Sequence, residues 1–202
     1  MTSAAEIESE FMESSESLLH ESEAVLHELV IPAWGGVGGI HGYPRMLYGV
    51  VMNTMSLADR LSSYSTGTVG ATGQTRRMRS LFEAAGGTPE SAAVLVQLWR
   101  HTLMHTGLPM EVRDLDTGVN YRWLLHWGPE HLPPDMHLTI TQAGLGERIL
   151  NVGALYLIDD LRRQAEAFFA SVLGWADAEA GLVLTHGAMI KAQRRRLAIS
   201  AP

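Results

Sequence analysis

The segment from Trp99 to His105 reads Trp-Arg-His-Thr-Leu-Met-His and groups the most chemically capable side chains of the 202-residue chain. A guanidinium fork suits negative charge building on phosphate oxygens. An imidazole takes and returns protons near neutral pH. Arg100 and His105 can therefore hold a phosphodiester and move its protons, enough to cut RNA without a metal ion. His101 can orient the pair or share the proton transfer. On an ideal helix, residues five apart are offset by about 140°, so Arg100 and His105 do not stack directly. Two such helices side by side would bring them to one phosphate. The alternative is plain: Arg100 reaches a surface acid, and the two histidines decorate a helix end.

A second group, His126, His131 and His137 with Glu130 and Asp135, has ligand types that suit zinc or another transition metal. Its spacings match no standard signature, and the intervening prolines forbid a helical His-x-x-x-His face. Turn and sheet-surface roles are the simpler reading. Trp123, Trp127 and Tyr121 lie close by in sequence, and an aromatic ring there could stack on a substrate base. Arg76, Arg77 and Arg79, with the run Lys191–Arg196, are the candidate contacts to an RNA backbone. They could equally form solvated faces that pair with the acidic start of the chain. No Gly-x-Ser-x-Gly, His-Glu-x-x-His or paired-carboxylate motif is present.

The elements that must carry these groups read mostly as helices. Residues 4–30 form an acidic amphipathic helix with Ile7, Phe11, Leu18, Val25 and Leu29 on one stripe. Residues 31–43 make a glycine-rich connector that lacks the Gly-Lys-Ser/Thr of a phosphate loop. Pro44 opens a second helix to about Tyr64, apolar nearly all round and so central. Its polar exceptions are Asn53, Ser56 and Asp59, and Asp59 would be costly to bury unpaired. A short basic helix at 74–85 stops at Gly86-Gly87. Thr88-Pro89-Glu90 then starts the helix that carries the Arg-His segment and should end near His105–Gly107.

After that helix, Met110–Leu115 and Val119–Trp127 flank Asp116-Thr117-Gly118 as a β-hairpin. Met136–Gln142 alternates like a third strand, with His137, Thr139 and Thr141 on one side. Residues 146–174 read as a long helix and 186–198 as a last one. The expected fold is mainly α: one domain over 1–202, a helical bundle with a small antiparallel β-hairpin or sheet inserted at 108–142.

A net charge of −7 argues against a general nucleic-acid coat but leaves room for a local basic cleft. With no cysteine, disulfides and cysteine-bound zinc are excluded. The acidic first residues lack the basic flank of a leader peptide. Ile149–Ile158 is apolar but runs into Asp159, Asp160, Arg162 and Arg163, too short a stretch to span a bilayer. A cytoplasmic protein is expected.

Arg100-His101-Thr102-Leu103-Met104-His105 also resembles the motif of the HEPN family: Arg, then Asn, Asp or His, three residues, then His. Its place on a capped helix after two longer ones, with Gly107 and a hairpin following, is similar to that family, and the likeness covers about residues 45–175. The resemblance implies an all-helical domain, a symmetric homodimer with both Arg-His sets on one cleft, and metal-independent RNA cleavage leaving a 2′,3′-cyclic phosphate. It implies catalytic roles for Arg100 and His105, with His101 assisting, and no cofactor. HEPN toxins silenced by nucleotidyl transfer carry a tyrosine two residues after the histidine, where this chain has Gly107. A toxin or defence protein under that control is therefore not implied, though another cognate inhibitor protein could serve. The alternative function is a non-catalytic HEPN-like module that binds nucleotide, RNA or a protein partner. A metal-dependent enzyme built on His126, His131 and His137 is the third.

Overall fold

The structure, a computed structural model, describes residues 4–25, 27, 45–66, 73–103, 111–129 and 131–172. The glycine-rich connector, His105, Gly107, the Lys191–Arg196 run and the helix expected at 186–198 lie outside the described residues.

Among the described residues, α1 (Ala4–Val25) and α2 (Arg45–Thr66) come first. In α1 the glutamates at 6, 13, 16 and 21 are exposed. Leu19 is buried, and Met12, Leu18 and Val25 pack against the core, the one-sided burial expected of an amphipathic stripe. Helix α2 is central as expected: Leu47, Val50, Val51, Met55, Ala58 and Leu61 are all buried. Each large aliphatic so placed contributes about 2 kcal/mol. Its buried hydroxyls are satisfied locally, Thr54 donating to the Val50 carbonyl and Ser62 to that of Asp59.

Helix α3 (Gln74–Ala84) starts from Gly73, whose φ of 78° is left-handed. Helix α4 (Pro89–Gln97) begins as its sequence predicts, with the Thr88 hydroxyl accepting from the Ser91 N–H at 3.1 Å. It then widens into a π-helical segment over Leu98–Leu103.

The sheet corrects the expected fold class. Four strands, not a small antiparallel hairpin, form a mixed sheet in the order β1-β2-β4-β3. Strands β1 (Val112–Arg113) and β2 (Asn120–His126) form the anticipated hairpin. Strands β3 (Thr139–Gly144) and β4 (Glu147–Gly153) form a second one, and β4 also lies parallel to β2, Asn120 facing Glu147 and His126 facing Gly153. The helix expected from 146 therefore starts later, as α5 (Ala154–Val172). Gly146, with φ 74°, makes the tight β3–β4 turn. The far half of β4 is buried at four successive residues and so shows no alternation, which made it read as a helix from sequence.

Sheet and helices share one hydrophobic cluster. Tyr121, Trp123 and Leu125 of β2 and Leu150 and Val152 of β4 join Leu157, Ile158 and Leu161 of α5 within it. Arg162 of α5 ties α1 down, donating to both Glu23 oxygens at 2.7 and 2.9 Å. No described helix is long and apolar enough to cross a membrane.

Candidate functional site

Leu98 and Trp99 are buried, so they pin the start of the π-helical segment into the core. Arg100 follows at the core boundary, half-buried. Its Nη1 donates to Thr75 Oγ1 at 2.8 Å, tying the segment to the first turn of α3. The π geometry changes the spacing argument. In a π turn the hydrogen bond joins residues five apart, so residue i+5 returns to the side of residue i. The described π segment ends at Leu103, so the Arg100–His105 offset lies outside the described residues. The side chain of His101 and the whole of His105 lie outside the described residues.

The three neighbouring arginines part company. Arg76 is exposed and Arg79 half-buried. Arg77 is an interior strut, its side chain 4% exposed, and its Nη2 donates to Asp59 Oδ1 at 3.1 Å and to Ser63 at 3.2 Å. Gln74 completes the arrangement by donating to Asp59 Oδ2 at 2.7 Å. Asp59, the polar exception on α2, thus finds its partners on α3. Arg77 is therefore not a surface contact for an RNA backbone.

Trp123 and Trp127 are buried in the core and present no open ring face on which a base could stack. Tyr121 is buried too, its hydroxyl donating to Glu90 Oε1 at 2.6 Å. That bond to a carboxylate, helped by burial, raises the Tyr121 pKa. Arg148 donates to the same oxygen and lies 6.0 Å from the Tyr121 ring centre, joining β4 to the start of α4.

The three histidines do not converge. Burial pushes the pKa of half-buried His126 below its ordinary 6.5, and its Nε2 has no hydrogen-bond partner among the described residues. His131 is exposed and packs on Trp127, ring centres 4.9 Å apart. His137 instead turns to α5, its Nε2 lying 3.2 Å from Asp160 Oδ2. Its Nδ1 accepts from the Gly153 N–H at 3.1 Å, which sets the proton on Nε2 as donor to Asp160. Both ring nitrogens are thereby occupied, and His137 is a structural clamp between β3, β4 and α5. Among the described residues, no three His, Asp or Glu side chains are grouped to hold a metal ion.

His137 lines a cleft of about 480 Å³ with Leu138, Tyr156, Asp159, Asp160 and Arg163. Asp160 is buried between His137 and Arg163. Desolvation pushes the Asp159 pKa up. Leu138 takes a left-handed φ of 55°, unusual for so bulky a residue. This cleft was not anticipated from sequence, where Asp159, Asp160 and Arg163 served only to interrupt an apolar run. Thr75 was missed as well, since a threonine between polar residues carries no signal of its partner.

Compared with known proteins, the chain matches no family model, no curated protein and no solved structure.

Proposed function

We propose that the chain is a metal-independent endoribonuclease of HEPN type. Arg100 binds the scissile phosphate, and His105 is the acid–base group with His101 assisting. In this reading His105 takes the 2′-hydroxyl proton as the 2′-oxygen attacks phosphorus. The P–O5′ bond breaks, the leaving oxygen takes up the proton that His105 carries, and a 2′,3′-cyclic phosphate remains. Arg100 stabilises charge on the non-bridging oxygens as it builds. RNA is the substrate, two copies of the chain share the cleft, and the cytoplasm is where the reaction occurs.

The observation that supports this most is the Arg100 guanidinium, held at 2.8 Å by Thr75 and half-buried at the edge of the core.

The test is cleavage of mixed cellular RNA in EDTA by wild type, Arg100→Ala and His105→Ala, with end-group analysis. Cutting by wild type with cyclic-phosphate ends, lost in both variants, is the expected result. Equal cutting by all three would sink the assignment. The second reading, a non-catalytic module that binds RNA, nucleotide or a protein through the same helix, draws on the burial of Arg77, Trp123 and Trp127. Those residues leave fewer groups to grip RNA. Binding by wild type with no cleavage would favour it.

A further inference from the structure

We infer that Thr75 is the positioning residue of Arg100, on a helix turn that Asp59 anchors to the central helix. The inference rests on the nuclease reading of Arg100. Its starting point is a bond between residues 25 apart in sequence, Arg100 Nη1 to Thr75 Oγ1 at 2.8 Å. A guanidinium carries five N–H donors on a long, rotamer-rich side chain. With one donor fixed on Thr75, the fork loses most of its rotational freedom, and its other donors have no hydrogen-bond partner among the described residues.

The turn that carries Thr75 is held to α2 by its neighbours. Gln74 donates to Asp59 Oδ2 at 2.7 Å, and Arg77 donates to Asp59 Oδ1 at 3.1 Å. Asp59 thus fixes the residue before Thr75 and one that follows it, locking the first turn of α3 onto α2. The Gly73 cap contributes no side-chain hydrogen bond, so the turn is held from α2, by Asp59 and by Ser63, which accepts from Arg77 at 3.2 Å. The support runs from Asp59 to Gln74 and Arg77, along the α3 backbone to Thr75, and from the Thr75 hydroxyl to Arg100.

Positioning of this kind acts on the transition state. A group displaced by about 1 Å costs on the order of 100-fold in rate. Loss of the Thr75 hydroxyl should therefore lower kcat and leave KM nearly unchanged, since charge on the phosphate oxygens peaks in the transition state.

The experiment measures kcat and KM for RNA cleavage in EDTA with wild type, Thr75→Val and Thr75→Ser, alongside the melting temperature of each. Valine keeps the shape and removes the hydroxyl; serine keeps the hydroxyl and removes a methyl group. The expected result is a kcat loss of about 10- to 100-fold in the valine variant, with KM held. Serine should restore kcat to within about threefold of wild type. A kcat in Thr75→Val equal to wild type overturns the positioning role and leaves the nuclease reading standing. Equal losses in Thr75→Val and Thr75→Ser that track a lowered melting temperature also overturn it, by showing a folding role. No cleavage by wild type overturns the nuclease reading itself, and the positioning role with it.

Discussion

Replacing Asp59 by alanine should destabilise the protein by about 3 kcal/mol, because it strands a charge in the interior. The Arg77 side chain is 4% exposed while Asp59 is 29% exposed. Removing one partner of a buried ion pair costs about 3–5 kcal/mol, since the remaining charge loses its compensation. Water already reaches Asp59, which places this pair at the lower end. Gln74 also loses its acceptor, but an amide near solvent finds water and adds little. For a chain of this size each kcal/mol moves the melting temperature by about 2–4 °C, so a drop of about 6–12 °C is expected. Urea unfolding followed by circular dichroism measures the loss directly, with an unchanged m-value confirming the same transition. The double variant Asp59→Ala/Arg77→Met removes both charges and should recover about 2 kcal/mol relative to the sum of the single changes. A loss below about 1 kcal/mol in Asp59→Ala, or strict additivity in the double variant, would refute the reasoning.

Two further outcomes follow from the sheet. Gly153→Ala should cost about 2 kcal/mol, because its Cβ would lie 2.5 Å from Tyr156 Cδ2. The Tyr156 ring cannot swing away cheaply, since its hydroxyl donates to the Leu132 carbonyl and its face packs on His137. Gly146→Ala meets nothing within 4 Å and should cost only the left-handed backbone penalty, about 1 kcal/mol. Urea midpoints that reverse this order would contradict the packing argument. The pH dependence has a definite sign at His126. Desolvation lowers its folded pKa from 6.5, so the unfolded chain binds the proton more readily. The stability is present in full above 6.5 and is lost as pH falls through the lower, folded pKa. His126→Gln should flatten unfolding midpoints measured between about pH 5 and pH 7.5. An unchanged slope in that variant would assign the effect to another group.

Sequence reasoning reached the elements whose signals are local. Thr88-Pro89-Glu90 announced the start of α4, and the threonine hydroxyl does cap it. Asp59 stood out as a carboxylate on an apolar helix that needed a partner, although the identity of Arg77 lay in tertiary packing. In β2 the buried Tyr121, Trp123 and Leu125 alternate with less buried neighbours, so the strand was readable. In β4 the buried Leu150, Asn151, Val152 and Gly153 run together without alternation, and they merge with Ala154 and Leu155 of α5. A doubly covered strand that flows into a helix leaves no periodicity to mark the join. That error changed the fold class from a bundle with a hairpin to helices around a mixed sheet. At the candidate site, type and spacing singled out Arg100. Thr75, which touches it, was not, because a contact across 25 residues leaves no trace in local pattern. His137 pointed the other way: its type suggested a metal ligand, while Asp160 and the Gly153 amide occupy both its nitrogens.

The strand order also dictates a timetable. Asn120 of β2 faces Glu147 of β4, so the wide apolar face of β2 leaves the ribosome before its main partner exists. Until then β2 has only the two residues of β1 beside it. Synthesis proceeds at about 5–20 residues per second, which makes the wait about 1–5 s. The β3–β4 hairpin, closed by Leu145 and Gly146, then forms within about 1–10 μs and can accept β2 at once. For those seconds the edge of β2 that pairs with β4 has no partner for its backbone hydrogen bonds. The nascent chain is then at its most vulnerable to mispairing, and a pause in translation between β2 and β4 would lengthen the exposure.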